Sequence, residues 1–154
     1  AADYFYQRFE FMKKQRMTRQ EIRDEYKQSD GDPLIKARLR QIRLERSRTR
    51  MMAEVPEATV VIVNPTHYAV ALKYEHQQMA APICVAKGLD IIALRIRAVA
   101  EEHKVPVIEN PALARALYAS ADIDREISPD NYKAVAEVIS FVMRLKAKKK
   151  RAIR

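Results

Sequence analysis

Thr59-Val-Val-Ile-Val-Asn-Pro-Thr-His-Tyr-Ala-Val-Ala-Leu-Lys-Tyr74 is the stretch from which the fold can be read. Val60 to Val63 is a β-branched run of the kind that fills a strand buried on both faces. Pro65 has no N–H to give to a strand ladder, so it ends the pairing or bulges it. Its ring also drives Asn64 toward an extended backbone. The pattern predicts a strand over 60–63, a corner at Asn64-Pro65-Thr66-His67, and a second strand over 68–74.

That corner carries latent chemistry. An asparagine side-chain nitrogen can attack its own main-chain carbonyl, closing a succinimide and expelling the nitrogen of the next residue. Here the cut would fall between Asn64 and Pro65. An amide is a poor nucleophile, so most of the acceleration must come from holding attacker and carbonyl at near-attack distance. Protons must also move, and His67 is the nearest titratable side chain. The plainer alternative is that Asn-Pro only starts a turn, as such dipeptides often do.

The chain has 154 residues, is 48% hydrophobic and 32% charged, and contains two glycines and no tryptophan. This is the composition of one foldable domain with a real core. One cysteine, Cys84, excludes an internal disulfide framework and a cysteine-rich zinc site. Flanked by Ile83 and Val85, it reads as a small buried hydrophobe rather than a nucleophile. His67, His76 and His103 are too scattered to suggest a metal site, and no glycine-rich loop cradles a phosphate. Lys87-Gly88 is the nearest thing to an anion site. No cofactor is implied.

Charge is unevenly spread. Residues 1–55 hold 14 Lys and Arg against 9 Asp and Glu, and residues 56–141 hold 8 against 11. Residues 142–154 hold 7 basic side chains and no acidic ones. A nucleic-acid-binding domain would more naturally carry its basic patch on the folded body. No segment is long and apolar enough to span a bilayer, no signal-peptide pattern is present, and the sequence opens on Ala1. Tyr4, Phe5, Tyr6, Phe9 and Phe11 crowd the opening, followed by Lys13, Lys14, Arg16 and Arg19. Aromatics then cations is the order found where a chain leaves a membrane on the cytoplasmic side. A short amphipathic helix packed on the domain is the alternative.

Thr18 and Glu21 fit a capping box for a helix to about Gln28. Ser29-Asp-Gly-Asp32 breaks it, and Asp32-Pro33 starts a second, arginine-rich helix to about Met52, with Ile35, Leu39 and Ile42 on one side. So thin a stripe predicts an exposed arm over residues 1–55. Beyond Pro56, Ile83 to Ala86 reads as a third strand, and Lys87 to Asp90 as a turn into a helix over 91–103. Ile92, Ile96, Val99 and Ala100 form that helix's inward face. Val105 to Ile108 reads as a short strand, and Asn110-Pro111 as the cap of a helix to about Tyr118, with Leu113, Ala114 and Leu117 inward. Ser128-Pro129-Asp130 opens a last helix with Val135, Val138, Ile139 and Val142 as its stripe. That helix gives way to a basic tail, Lys146 to Arg151. The expected fold is α/β: a small four-stranded sheet flanked by helices, preceded by a long, exposed N-terminal helical arm.

Asn64-Pro65-Thr66-His67 with Tyr68-Ala-Val-Ala-Leu-Lys-Tyr74 resembles the export-switch proteins of flagellar and type III secretion systems, the FlhB/YscU family. The agreement continues through Ala81-Pro82, Val85-Ala-Lys-Gly88, Val105-Pro106, Leu113-Ala-Arg-Ala-Leu-Tyr118 and Val135-Ala-Glu-Val138. It reaches back to Lys27-Gln28 and Asp32-Pro33, so it covers nearly the whole chain, and the second strand looks like the flagellar branch.

The resemblance implies an inner-membrane protein whose C-terminal domain lies in the cytoplasm and cuts itself between asparagine and proline. Such a protein takes part in the change from exporting rod- and hook-type subunits to filament-type subunits. Carried onto this sequence, Asn64 is the cyclising residue, Pro65 the leaving residue, and Thr66 and His67 supporting loop residues. Residues 1–55 would be a basic linker after a membrane domain, 56–145 the self-cleaving domain, and 146–154 a flexible basic tail. Implied partners are other export-gate membrane proteins, a hook-length ruler protein, and export substrates with their chaperones. The arm could also touch the membrane surface. A nucleic-acid-binding protein using the arginine-rich arm and lysine-rich tail is the competing reading, which leaves the Asn-Pro corner unexplained.

Overall fold

The computed structural model describes residues 2–14 and 19–152, which fall in two compact units, Ala1–Arg46 and Ser47–Arg154. The first contains α1 (Ala2–Lys14), α2 (Arg19–Asp30) and much of α3 (Pro33–Glu54). Thr18, the expected cap of α2, lies outside the described residues. Helix α2 continues to Asp30, leaving the break to Gly31 and Asp32. Gly31 takes φ 75, a left-handed conformation that ends helices and that glycine adopts without strain. Asp32 caps α3 as its sequence suggests, its Oδ1 accepting the Leu34 N–H at 2.9 Å. The five aromatics of α1 and Ile35 and Leu39 of α3 are exposed.

The second unit is built on one sheet. Its strands are β1 (Val60–Asn64), β2 (Tyr68–Lys73), β3 (Ile83–Leu89), β4 (Val107–Glu109) and β5 (Arg125–Glu126), in the order β4-β1-β2-β3-β5. Strand β1 pairs antiparallel with β2 and parallel with β4. Alternation sends Val61, Val63, Ala69 and Ala71 to one face, and Val60, Ile62, Val70 and Leu72 to the other. The first face packs on α4 (Ile91–Glu102) through Ala93, Ile96 and Ala100. The second packs on α5 (Pro111–Ser120) and α6 (Tyr132–Ala152), through Leu113, Ala114, Leu117, Val135, Ile139 and Val142. Both faces are therefore covered, which is why four consecutive β-branched residues are all buried. Met51 and Val55, at and just past the end of α3, join the α4-side core.

The four expected strands are all present, and β5 adds a two-residue fifth. It is held by the Asp124 N–H to the Cys84 carbonyl at 2.8 Å and the Ile127 N–H to the Pro82 carbonyl at 3.0 Å. Strand β3 does not stop at Ala86. Lys87, Gly88 and Leu89, expected as a turn, continue opposite Val70, Ala69 and Tyr68. A bulge shifts the register there, with Ala71 opposite Ala86 but Leu72 opposite Cys84. Val85 is the extra residue, so Val85 and Ala86 both join the α4-side core. Strand β4 lies slightly later than expected, because Val105 bonds back to the Ala100 carbonyl at 2.8 Å and Pro106 accepts from Val61 at 2.9 Å. Asn110 caps α5 as expected, accepting the Leu113 N–H at 3.1 Å. Helix α6 opens with a short turn at Pro129–Asn131 and runs on to Ala152, past Lys146 where a tail is expected.

Gly88 shows how closely α4 lies on β3. A Cβ there would stand 2.5 Å from Ile92 Cγ2 and 2.9 Å from the Ile92 carbonyl carbon. Because one of these is backbone, a rotamer change cannot relieve the clash. Gly88→Ala is expected to lower stability by about 1–3 kcal/mol, read as a reduced urea midpoint with an unchanged slope.

Cys84 is fully buried in the α5/α6-side core. Burial pushes its thiol up from 9.0 to about 11, with Lys87 pulling more weakly the other way. The unfolded thiol therefore ionises before the folded one, and this group's contribution to stability is lost as pH rises from 9.0 through about 11. A thiol reagent at neutral pH should leave the native protein unmodified and react with Cys84 after denaturation; rapid labelling of the native protein would contradict the burial.

Candidate functional site

Asn64 is the last residue of β1 and pairs with Tyr68, the first of β2, so Pro65, Thr66 and His67 alone bridge the two strands. The His67 N–H donates to the Asn64 carbonyl at 3.0 Å, closing a tight turn. That carbonyl is the one an Asn64 side-chain attack would have to reach. One residue earlier, the Val63 carbonyl accepts the Asn110 N–H at 3.0 Å, at the cap of α5. The backbone leading into the corner is thus held from the β2 side and the β4 side. Asn64 and Pro65 are half-buried, while Thr66 and His67 are exposed. The structure keeps all four sequence-predicted site residues together on one corner.

A fifth residue joins them from far along the chain. Asp90 Oδ1 lies 3.0 Å from His67 Nδ1, with the two side chains 59% and 62% exposed. The Asp90 main-chain N–H also donates to the His67 carbonyl at 2.9 Å. The antiparallel pairing of Tyr68 with Leu89 brings them together, since Asp90 follows one and His67 precedes the other. In the sequence Asp90 looks like the start of a helix; only the β2–β3 register reveals its neighbour.

Behind the corner, the Tyr68 ring packs on Tyr118 with centroids 5.0 Å apart. Lys87 Nζ sits 5.3 Å from the centre of the Tyr118 ring and bonds the carbonyls of Tyr118, at 3.2 Å, and Ala121, at 2.6 Å. A cation on the last carbonyls of α5 satisfies groups the helix leaves open. Lys87 is engaged there, so Lys87-Gly88 is no anion site. No group of acidic, histidine or cysteine residues among the described residues is arranged to hold a metal ion. Nor is any described helix long and apolar enough to cross a membrane. An apolar groove of about 360 Å³, lined by Tyr74, Pro82, Tyr132, Ile139 and Met143 among others, lies toward the far end of β2.

A family model described as the FlhB HrpN YscU SpaS family matches residues 1–142. Two curated relatives, each named flagellar biosynthetic protein FlhB, come from Bacillus subtilis and Escherichia coli. They are 50% identical over 146 residues and 54% identical over 144. The alignments cover 95% and 94% of this chain but 41% and 38% of the relatives, so the chain spans about two fifths of their length. The crystal structure of the cytoplasmic domain of FlhB from Shewanella putrefaciens superposes with a TM-score of 0.64 at 45% identity, covering 67% of this chain and 79% of that one. A crystal structure of a point-mutated EscU C-terminal domain gives 0.57 at 33% identity, covering 60% of this chain and 98% of that one. Matching in sequence over almost its full length and in fold over about two thirds of it, the chain belongs to the FlhB HrpN YscU SpaS family.

Proposed function

We propose that this segment is the cytoplasmic part of an inner-membrane flagellar export protein that cuts itself between Asn64 and Pro65. The carrying observation is the corner itself, where a half-buried Asn-Pro bond closes a turn and its carbonyl accepts the His67 N–H at 3.0 Å. In the reaction, Asn64 Nδ2 bonds to the Asn64 carbonyl carbon and the bond from that carbon to the Pro65 nitrogen breaks. Nδ2 loses one proton and the proline nitrogen gains one, so no other reagent is consumed until water opens the succinimide. Negative charge grows on the carbonyl oxygen as the bond forms, and the His67 N–H is already aimed at it. Pro65 holds Asn64 extended, and Thr66 completes the turn. The His67 ring is within the same turn to exchange protons, with positioning as the larger contribution.

The fold supports a cut that leaves the domain assembled. Fragment 1–64 would keep β1, flanked by β2 and β4 of fragment 65–154. Val60, Val61 and Ile62 are wholly buried and Val63 nearly so. At about 1.5–3 kcal/mol for each buried side chain of this size, the strand alone provides a firm noncovalent hold. What the cut releases is the corner, with two new termini at the half-buried Asn64 and Pro65 beside the exposed Thr66 and His67.

On this reading the released corner alters contacts with export substrates, and the protein takes part in the change from rod- and hook-type to filament-type subunits. Its partners are other export-gate membrane proteins, the hook-length ruler, and substrates with their chaperones, while the basic arm lies toward the membrane surface. The family assignment lends nothing to the nucleic-acid reading.

Denaturing mass analysis should give fragments 1–64 and 65–154 for the wild type and an intact chain for Asn64→Ala. Asn64→Ala in the full-length protein should block export of filament-type but not hook-type subunits. An uncut wild type after long incubation at neutral pH, or undiminished filament-type export by the variant, would contradict the proposal.

A further inference from the structure

Asp90 immediately precedes α4, a position where an aspartate ordinarily turns its carboxylate to the helix's free N–H groups. It makes no such bond. Its carboxylate instead faces His67 Nδ1 at 3.0 Å, while its own N–H holds the His67 carbonyl at 2.9 Å. Asp90 adopts φ 46 and ψ −110 in this arrangement, a backbone conformation that residues with a Cβ avoid. Such strain costs stability, and so does the missing cap. A contact between two side chains this exposed returns little in stability. Stability alone does not account for an aspartate spent in this way.

The geometry points to Asp90 as a positioning residue for the cut at Asn64-Pro65, an inference that rests on the self-cleavage proposed above. His67 is fixed at three places. Its ring and its carbonyl are held by Asp90, and its N–H is held by the Asn64 carbonyl. The first two contacts orient the third. Thr66 and His67 are exposed, with little packing to keep the turn in one shape. With the Asp90 carboxylate removed, only the backbone bond to the His67 carbonyl remains, and the turn gains freedom to rotate the His67 N–H away from the carbonyl that is to be attacked. Asp90 itself touches no reacting atom; it acts through His67.

The test compares cleavage half-times of wild type, Asp90→Ala, Asp90→Gly and Asp90→Asn, each prepared in denaturant and then allowed to fold. Glycine tolerates φ 46, so Asp90→Gly relieves the backbone and removes only the carboxylate. If Asp90 served the backbone alone, the glycine variant would cut at the wild-type rate. The clamp predicts that Asp90→Gly and Asp90→Ala slow cutting roughly ten- to hundred-fold, the scale expected for a misplaced group. The urea midpoint of Asp90→Gly should stay at or above that of wild type. Asp90→Asn, whose side-chain oxygen still accepts from a protonated Nδ1, should restore most of the rate.

A second readout does not depend on the cut. In the intact Asn64→Ala chain, adding Asp90→Gly should speed amide hydrogen exchange at His67. Wild-type cutting by Asp90→Gly, an Asp90→Asn variant as slow as glycine, or unchanged exchange at His67 would each overturn the clamp while leaving self-cleavage in place. A wild type that never cuts would overturn both.

Discussion

Strand β1 is held by two backbone ladders along its edges and by two helical layers across its faces, and the remaining structure is arranged around that confinement. Its four valine and isoleucine side chains alternate between the α4 core and the α5/α6 core, so neither core closes without them. At its start, Thr59 Oγ1 accepts the Tyr74 N–H at 3.0 Å and donates to the Tyr74 carbonyl at 3.2 Å, locking β1 to the far end of β2. At its end, Val63 is tied to Asn110 and Asn64 to His67. On the proposed reading, a strand fixed in this way no longer needs its covalent link to β2, and the Asn64-Pro65 bond can be cut without the fold losing its centre.

On the proposed reading, confinement is also what lets an otherwise unreactive group react. An amide nitrogen near a carbonyl has little tendency to attack in a mobile chain. When the backbone leading into the bond is held by its neighbours and a donor already faces the oxygen, less order has to be created on the way to the transition state. Strain sits beside this arrangement, at Asp90, and the core pays for it: the well-packed β2–β3 pair imposes the approach of Asp90 to His67.

Much of this was legible in residues 59–74, because a buried strand, a proline corner and a second strand each leave a local mark. The Asn110 and Asp32 caps were legible for the same reason. What escaped depends on contacts between distant segments. Lys87-Gly88-Leu89 has the composition of a turn, yet Lys87 donates to the carbonyls at the end of α5 and Gly88 makes room for Ile92. Arg125-Glu126 is too short to carry any periodicity and becomes a strand only because β3 offers it an edge. The bulge at Val85 breaks an alternation that the sequence shows as an unbroken apolar run. Asp90 is invisible as a site residue until the β2–β3 register is known. The basic run from Lys146 suggests a dissolving tail, but lysine and alanine are good helix formers and α6 continues through them.

On the proposed reading the fold, not the local sequence, makes the Asn64-Pro65 bond labile. The most direct test is the rate of cutting after a chain synthesised and kept in denaturant is diluted into native buffer, beside an isolated peptide spanning residues 59–74. No cutting is expected in denaturant or in the peptide on that timescale. After dilution, cutting should be first-order, with a rate independent of protein concentration. Equal cutting in the peptide or in denaturant would contradict this by showing that the sequence alone suffices. A rate that climbs with protein concentration would contradict it by placing the reaction between molecules.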